Sequence, residues 1–264
     1  MLQTVSRAGQ VLDLFRATRP VWGATAVARQ LDIAKSQAHE LLVSLTDIGL
    51  LQRDRPGRYR LGWRIVALNS LVVDGSDLGH ECARVLRPLA ARSGETVYLA
   101  VWGPGSAICI VAFEGRSPGA VAAPTAGAEL PAHCTAAGKV LLAAQPWEPL
   151  DDGLAHGALE RLTGRTIVEP ERLAGELADV RRRGFACEEQ EHDGATCAVA
   201  APVHDPYGTV VGAVAMAVPA QRWPRTAREQ TRAVVTAAAR SSELVRHRVL
   251  ERDQRHTMDL APAL

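Results

Sequence analysis

The sequence predicts an α+β protein in which a small helical region with a hairpin precedes a larger region of mixed helices and strands. In residues 5–62, three segments carry apolar residues at helical spacing, and two short strand-like segments with a tight turn follow them. In residues 96–218, strand-like segments alternate with helical ones. Such a mixture is typical of helices packed on one antiparallel sheet.

The first two helices are short and amphipathic. Residues 5–15 form the first, with four apolar residues on one face: Ala8, Val11, Leu12 and Phe15. Residues 24–31 form the second, which turns Val27, Ala28 and Leu31 inward. Asp32 follows, and aspartate tolerates the left-handed conformation that a sharp turn often needs. The chain is therefore expected to turn sharply between the second helix and the third.

The third helix is predicted over residues 35–47, within a stretch that begins "AKSQAHELLVSL". Five apolar residues at helical spacing should form one buried stripe: Ala38, Leu41, Leu42, Leu45 and Ile48. Four polar residues occupy the opposite face of the first two turns: Ser36, Gln37, His39 and Glu40. Gly49 is placed to end the helix.

A basic hairpin follows, with strands at 50–54 and 58–62 around the turn "RPG". It carries four arginines: Arg53, Arg55, Arg58 and Arg60. Three helices and a basic hairpin within about sixty residues describe a winged helix-turn-helix, a DNA-binding fold. We therefore assign residues 1–62 to a DNA-binding domain.

The remaining chain is assigned to a linker helix at 63–76, a second domain at 77–250 and an unstructured tail at 251–264. Within the second domain, strands are predicted at 96–102, 107–114, 185–189, 196–204 and 209–218. Helices are predicted from near Cys134, over 170–183 and over 224–250.

Charge is distributed unevenly along the chain. Residues 1–73 hold ten basic and five acidic residues, a balance of +5, whereas the remainder holds twenty basic and twenty-four acidic residues, a balance of −4. This indicates that the first domain meets a polyanion, although ordinary surface variation is the alternative. No apolar run is long enough for a membrane span, no signal peptide is evident, and the five cysteines form no CxxC pair. A cytoplasmic location with reduced thiols is expected.

Several segments, in order, resemble the IclR family of bacterial transcriptional regulators. They are "TVSRAGQVLDLF", "VARQLDIAKSQAHELLVSLTDIGLLQRDRPGRYRLG", "GETVYLAV", "LPAHCTAAGKVLLA" and "VRRRGFACEEQEHDGATCAVAAPVHDPYGTVVGAVAM". The resemblance covers about residues 5–250. It implies a homodimer or a dimer of dimers that binds operator DNA, more often as a repressor than an activator. It also implies a C-terminal domain, similar to the GAF fold, that binds a small-molecule effector.

The candidate DNA-binding residues lie on the third helix, the hairpin and the start of the second helix. Helix-turn-helix geometry places Ser36, Gln37 and His39 at base edges and gives Lys35 and Ser36 access to phosphates. The remaining candidates are Thr25, Glu40, Arg55, Arg58 and Arg60. The arginines would follow the backbone or enter the minor groove. A solvated helix face and a solvated hairpin are the alternative reading.

Glu40 stands where family members often carry arginine. Its carboxylate can accept a hydrogen bond from cytosine N4, or it can pair with Arg29 or Lys35 and only shape the surface. Gly23 and Asp32 are further departures, since the family usually has a capping Ser or Thr and a glycine at these positions. They leave the second helix less well capped.

The resemblance implies that the backbone amides of Ala136 and Ala137, at a helix start, hold the acid group of an effector. It places Leu130 in the pocket wall, and Glu188, Ala198, Ala215 and Ala217 at further contact positions. Sensors of small acids in the family carry polar residues at those four positions. Since three are alanine here, we expect a larger or more apolar ligand, such as an aromatic acid or a lactone. The alternative is a domain that has lost its ligand and only dimerises.

Two other classes of function are alternatives to an effector-controlled regulator. Cys134 lies near a helix start, where a thiolate is favoured, so a redox- or metal-responsive regulator is one alternative. However, the neighbouring histidine and cysteine residues lack the spacing of metal ligands, so no metal or cofactor is expected. "ACEEQEHD" groups carboxylates, but strand alternation should set Glu188 and Glu191 on opposite faces. No catalytic residues are assigned. Lys139 is expected at the surface, or else beside the pocket loop.

Overall fold

The computed structural model describes residues 2–16, 18–75, 77–103, 105–145 and 159–259. The chain divides into two compact units, residues 1–76 and 77–264, each of which has its own core. Among the residues described, no helix is both long enough and apolar enough to cross a membrane.

The described residues of the first unit form helices and a hairpin: α1 (Gln3–Asp13), α2 (Ala24–Leu31), α3 (Lys35–Asp47), β1 (Leu51–Arg55), β2 (Arg58–Leu61) and α4 (Arg64–Gly75). Its core joins α1, α2, α3 and the hairpin through buried side chains that include Val11, Trp22, Val27, Leu42 and Tyr59. The helix and hairpin order is that of a winged helix-turn-helix.

The predicted stripe of α3 is buried except at its last residue. Ala38, Leu41, Leu42 and Leu45 are buried, but Ile48 is 49% exposed. Ile48 is the residue at which the helix ends, and Gly49 follows with a φ of +79°. The chain therefore leaves the helical path before Ile48 can face the core. Instead, the backbone carbonyl of Ile48 accepts a hydrogen bond from Nη1 of Arg64 at 2.6 Å.

The second unit is built on one six-stranded sheet in the order β5-β4-β3-β8-β7-β6. The strands are β3 (Thr96–Gly103), β4 (Ser106–Phe113), β5 (Glu129–Pro131), β6 (Ala186–Glu189), β7 (Thr196–His204) and β8 (Val210–Pro219). Every neighbouring pair in this sheet is antiparallel. The three-residue strand β5 was not predicted because it is too short to show a pattern.

Helices cover both faces of this sheet. Helices α6 (Ala136–Ala143) and α7 (Pro170–Arg183) pack with one face, and α5 (Asp77–Ser93) and α8 (Trp223–Asp259) pack with the other. In β7, Ala198 and Ala200 belong to the α6 side, while Cys197 and Val199 belong to the α8 side. Burial on both faces explains why β7 and β8 read as nearly continuous apolar runs.

Two boundaries differ from the sequence prediction. Helix α8 continues to Asp259, so residues 251–259, expected in an unstructured tail, are helical, and 260–264 lie outside the described residues. The linker helix predicted at 63–76 corresponds to α4, which begins at Arg64 and runs to Gly75.

Candidate nucleic-acid interface and ligand site

The N-terminal half of α3 presents a polar face to solvent. Lys35, Ser36, His39 and Glu40 are exposed and Gln37 is half-buried, while Ala38 and Leu41 point into the core. All five polar candidates therefore lie on the side of α3 that is free to meet a ligand.

The hairpin is fixed to the chain segment that leads into α2. The backbone N–H of Trp22 donates to the carbonyl of Tyr59 at 2.9 Å, and the N–H of Tyr59 donates to the carbonyl of Trp22 at 2.8 Å. Both side chains are buried, and Nε1 of Trp22 donates to the carbonyl of Leu14 at 2.8 Å. The hairpin thus has a defined position relative to α2 and α3.

A groove of about 570 Å³ lies between α2, α3 and the hairpin turn. Arg29, Lys35 and Arg58 place three cationic side chains along it, and Thr25 and His39 also line it. Such a basic groove is suited to a phosphate backbone. Arg29 was not among the candidate residues, although it lies four residues after Thr25 and so on the same face of α2.

Arg55 and Arg60 project elsewhere on the hairpin. Both are exposed, and both lie near the carboxylate of Asp54, at 3.8 Å and 4.0 Å. In the described part of the first unit these are the ion pairs present, and Glu40 is in neither. The reading in which Glu40 pairs with Arg29 or Lys35 is therefore wrong for this structure, and its carboxylate is exposed to solvent.

The residues that depart from the family pattern around α2 have a structural reason. Gly23 precedes α2 and provides no side-chain cap, as expected. A Cβ atom at Gly23 would lie 2.9 Å from the carbonyl oxygen of Gly57 in the hairpin turn, so the turn occupies the space of a capping side chain. Asp32 ends α2 with φ and ψ of 50° and 50°, the left-handed conformation that the sequence predicted.

In the second unit, the candidate effector residues lie on the α6 side of the sheet. Strand register aligns Glu188, Ala198, Ala217 and Thr96 in one row across β6, β7, β8 and β3. The next row on the same face contains Ala200, Ala215 and Tyr98. Leu130, half-buried, packs against the same core, and Ala136 and Ala137 are fully buried in it.

The N-terminus of α6 is capped in a way that leaves its first amides for another partner. The side chain of Thr135 accepts a hydrogen bond from the N–H of Gly138 at 3.1 Å. The N–H groups of Ala136 and Ala137 have no acceptor within the helix, as is true of the first N–H groups of any α-helix. Together with the positive end of the helix dipole, they can favour an anion.

Glu188 is a buried carboxyl that holds a turn. It is 2% exposed, and its Oε1 accepts hydrogen bonds from the backbone N–H groups of Glu191 at 2.7 Å and His192 at 3.2 Å. Burial raises the pKa of Glu188 to about 7, although these two hydrogen bonds act in the opposite direction. A carboxyl in this setting can exist in either protonation state near neutral pH.

The strand alternation expected for "ACEEQEHD" ends earlier than predicted. Strand β6 stops at Glu189, and Gln190 has a φ of +62°. The left-handed turn brings Glu191 back to the interior, where it is 8% exposed. The prediction that Glu188 and Glu191 face opposite sides is therefore wrong, since one carboxylate binds the backbone N–H of the other.

Lys139 was expected at the surface, and this expectation is also wrong. The side chain is 1% exposed, and its ammonium group lies 2.6 Å from Oε1 of Glu191 and 3.3 Å from the carbonyl of Cys187. Oε1 of Glu176 on α7 is 3.9 Å away. Lys139 thus joins α6 to the turn after β6, beside the candidate pocket.

Three residues near the pocket were missed by the sequence analysis. Thr96 and Tyr98 are buried on the pocket side of β3, and Thr166 donates to the carbonyl of Glu191 at 2.6 Å. Burial raises the pKa of Tyr98, and the nearby Glu188 adds to this effect. The alternating positions of Thr96 and Tyr98 in "TVYLAVW" were a usable signal, whereas nothing local pointed to Thr166.

Cys134 does not behave as a helix-start thiolate. It is completely buried, and burial raises the pKa of its thiol to about 12, with a further contribution from Glu188. The expectation of a favoured thiolate is therefore wrong. Within the described ranges, no three His, Cys, Asp or Glu side chains are grouped so that they could hold a metal ion.

A winged helix-turn-helix unit with a basic groove, joined to a separate sheet domain, defines a DNA-binding transcriptional regulator. Comparison with known proteins agrees: the family model for the IclR helix-turn-helix domain matches residues 4–55, and that for the bacterial transcriptional regulator IclR C-terminal domain matches residues 70–243. The chain belongs to the IclR family of transcriptional regulators, which are not enzymes.

Individual relatives are similar over most of their length. The HTH-type transcriptional regulator XynR of Escherichia coli K12 is 31% identical over 217 residues, which cover 82% of this chain and 86% of XynR. The HTH-type transcriptional repressor AllR of Klebsiella pneumoniae is 28% identical, covering 83% of this chain and 81% of AllR. An IclR regulator of known structure from Silicibacter sp. TM1040 has a TM-score of 0.83 at 27% identity, covering 92% and 96% of the two chains.

Proposed function

We propose that this regulator is a cytoplasmic repressor whose hold on operator DNA is controlled by an organic acid, lactone or aromatic metabolite larger or less polar than glyoxylate or pyruvate. The proposed class of ligand is based on which residues line the α6 side of the sheet. Ala198, Ala215 and Ala217 are buried on this face and have no side-chain hydrogen-bonding groups, and Glu188 supplies one buried carboxyl. An apolar face with few polar groups suits a ligand of low polarity.

The acid group of the ligand would bind the N–H groups of Ala136 and Ala137, and Leu130 would form part of the wall. Glu188 in its protonated form would donate a hydrogen bond to an oxygen of the ligand. An IclR homolog from Microbacterium hydrocarbonoxydans, with a TM-score of 0.71 and 24% identity, was solved as a complex with 4-hydroxybenzoate. An aromatic acid is therefore a suitable first test ligand for this chain.

For DNA, the proposed readers of base edges are Ser36, Gln37, His39 and Glu40. Lys35, Thr25 and the hairpin residue Arg58 line the basic groove and would bind phosphates, joined by Arg29. Arg55 and Arg60 would follow the backbone or enter the minor groove from the hairpin. Repression of transcription, as opposed to activation, is proposed by analogy with AllR, which is named a repressor.

A homodimer, alone or paired into a dimer of dimers, is proposed because the first unit exposes several large apolar side chains. The side chains of Leu2, Val5, Trp63, Val66 and Leu71 are between 53% and 77% exposed. They lie on or beside α1 and α4. Exposed apolar side chains on helices are stabilised by burial against a partner. A second copy of the chain would also bring a second DNA-binding domain, which could bind the other half-site of an operator.

Selection of bound fragments from a random DNA pool tests the core of this proposal. Enrichment of one sequence with two related half-sites is expected. The absence of any enriched sequence contradicts operator binding. Calorimetric titration then tests the ligand class, with 4-hydroxybenzoate expected to bind more tightly than glyoxylate or pyruvate. The reverse order contradicts the apolar-pocket assignment, and no binding by any acid supports an effector-independent regulator.

A further inference from the structure

A second groove lies on the opposite side of the sheet from the candidate effector pocket, between α5 and α8. It has a volume of about 370 Å³. Its lining residues recur at helical spacing on both helices, so it follows one seam between them. The proposed function does not use this groove.

The floor of the groove is apolar and its rim is basic. Val85, Pro88 and Leu89 from α5 face Ala233 and Ala237 from α8. Pro88 lies inside α5 and cannot donate the hydrogen bond that would otherwise reach the carbonyl of Arg84. The small alanines and this interrupted turn leave room along the seam.

Four arginines surround that floor: Arg84, Arg92, Arg232 and Arg240. Arg84 pairs with Glu81 at 2.8 Å, but the other three arginines have no carboxylate within 4.0 Å among the described residues. Among the residues that the structure describes, Glu229 is the one acidic residue that lines the groove. Positive charge therefore exceeds negative charge at a partly enclosed apolar surface.

We propose that this groove is a second ligand site, for an amphipathic organic anion: an aromatic or acyl group with a carboxylate, sulfonate or phosphate. The apolar part would lie on Val85, Leu89 and Ala233, and the anionic group would pair with Arg232 and Arg240. A second copy of the chain is a poorer occupant, because it would bring like charges together. Nucleic acid is also poorer, since its phosphates gain nothing from an apolar floor.

Fluorescence titration of the full-length protein with 1-anilinonaphthalene-8-sulfonate tests this site. Saturable binding is expected. The double substitution Arg232→Gln/Arg240→Gln should weaken it about tenfold, the loss expected when charge-assisted hydrogen bonds are removed. The matched control Arg225→Gln/Arg228→Gln removes the same charge from exposed positions of α8 outside the groove and should change the Kd less than about twofold.

Two further measurements identify the groove. The neutral analogue N-phenyl-1-naphthylamine should bind the wild type and the Arg232→Gln/Arg240→Gln variant within about twofold, because it lacks the anionic group. Ala233→Trp, which fills the floor, should weaken both probes.

The proposal is overturned if no saturable binding of the sulfonate occurs, or if both arginine pairs weaken it equally. It is also overturned if neither pair affects binding, because the probe would then occupy another site. Displacement of the sulfonate by mixed-sequence DNA, with equal sensitivity to both arginine pairs, would instead mark this helix face as a polyanion surface.

Discussion

At the scale of single residues, Glu188 has the most unusual environment among the candidate ligand contacts. Its carboxyl is buried and bonded to the turn that holds Glu191. A protonated Glu188 can donate to a ligand, whereas an ionised one can only accept. Under the proposed function, its protonation would determine which ligands can bind beside it near neutral pH.

The free energy of unfolding should depend on pH because Glu188 titrates. The pKa of Glu188 rises from 4.5 to about 7 on folding, so its contribution to stability is full below pH 4.5 and is lost as pH rises through 7. Glu188→Gln should therefore gain stability relative to the wild type as pH rises from about 5 to about 8, by up to about 3 kcal/mol. Denaturant unfolding at several pH values measures this. The exposed Glu171→Gln is the control, and a pH-independent difference for Glu188→Gln would refute the assignment.

Glu40 poses a separate question at this scale, since it is exposed and forms no ion pair on the polar face of α3. Glu40→Arg should raise affinity for non-specific DNA and steepen the dependence of log K on log salt by up to about one. Asp13→Arg, with the same change of charge on α1, should do neither to the same extent. Binding selection with the Glu40→Arg variant then tests base reading. An unchanged preferred operator would exclude the contact with cytosine.

Residue-level prediction from sequence succeeded where local spacing determines the outcome. The polar face of α3 and the left-handed Asp32 followed from periodicity and from turn chemistry. Lys139 and Glu191 did not, because their burial depends on a left-handed turn at Gln190 and on partners 48 to 52 residues apart. No local pattern contains that information.

At the scale of elements, the Lys139–Glu191 ion pair connects α6 to the turn after β6. Both side chains are largely buried, so Lys139→Met should leave a carboxylate without its cation and destabilise the protein by about 3–5 kcal/mol. Lys139→Met/Glu191→Gln should cost less than the sum of the two single substitutions. Denaturant unfolding measures both, and additive losses would show that the pair is not coupled. Arg172→Met, from an exposed pair, should cost less than about 1 kcal/mol.

The hairpin turn and α2 form a second pair of linked elements. Gly23→Ser should displace the turn, because the added Cβ would meet the carbonyl oxygen of Gly57 at 2.9 Å. Since Arg58 borders the same groove, operator affinity should fall at least about fivefold, a change of about 1 kcal/mol. Gly175→Ala in α7 has open space and should only stabilise, by about 0.5–1 kcal/mol. Fluorescence anisotropy with operator DNA measures affinity, and wild-type affinity in Gly23→Ser would show that the turn can move freely.

Elements with strong periodicity were predicted to within a few residues, as α2, α3 and β7 illustrate. Errors arose at ends and in short elements. Ile48 extends the apolar pattern but lies where the helix stops, β5 has three residues, and α8 continues to Asp259, beyond the predicted end at 250. Periodicity reports which residues face a core, so it carries little information where no core is in contact.

At the scale of the whole molecule, the net charge of each domain, summed along the sequence, does not show where charges gather on its surface. Residues 74–264 are net acidic in sequence, yet α5 and α8 line one groove with four arginines. Folding can place basic residues together on one surface of a domain whose net charge is negative. A net charge summed along the sequence does not reveal such a surface. An anionic partner of the second domain could therefore not have been inferred from its net charge.

Assembly is the property of the whole molecule that most directly links this structure to DNA recognition. Leu71 is 72% exposed on α4, and Trp63, just before α4, is 73% exposed. If these side chains are buried between two copies, Leu71→Glu should shift the protein towards monomers by more than about 3 kcal/mol, because a charge would be buried without a partner. Sedimentation velocity across a concentration series measures this shift. Ile48→Glu, a substitution at an exposed apolar position at the end of α3, should leave the association unchanged.

The Leu71→Glu variant should also lose affinity for an operator with two half-sites. It should retain its weak affinity for a single half-site, since each DNA-binding domain remains folded. An unchanged sedimentation coefficient would place the dimer contact elsewhere on the molecule.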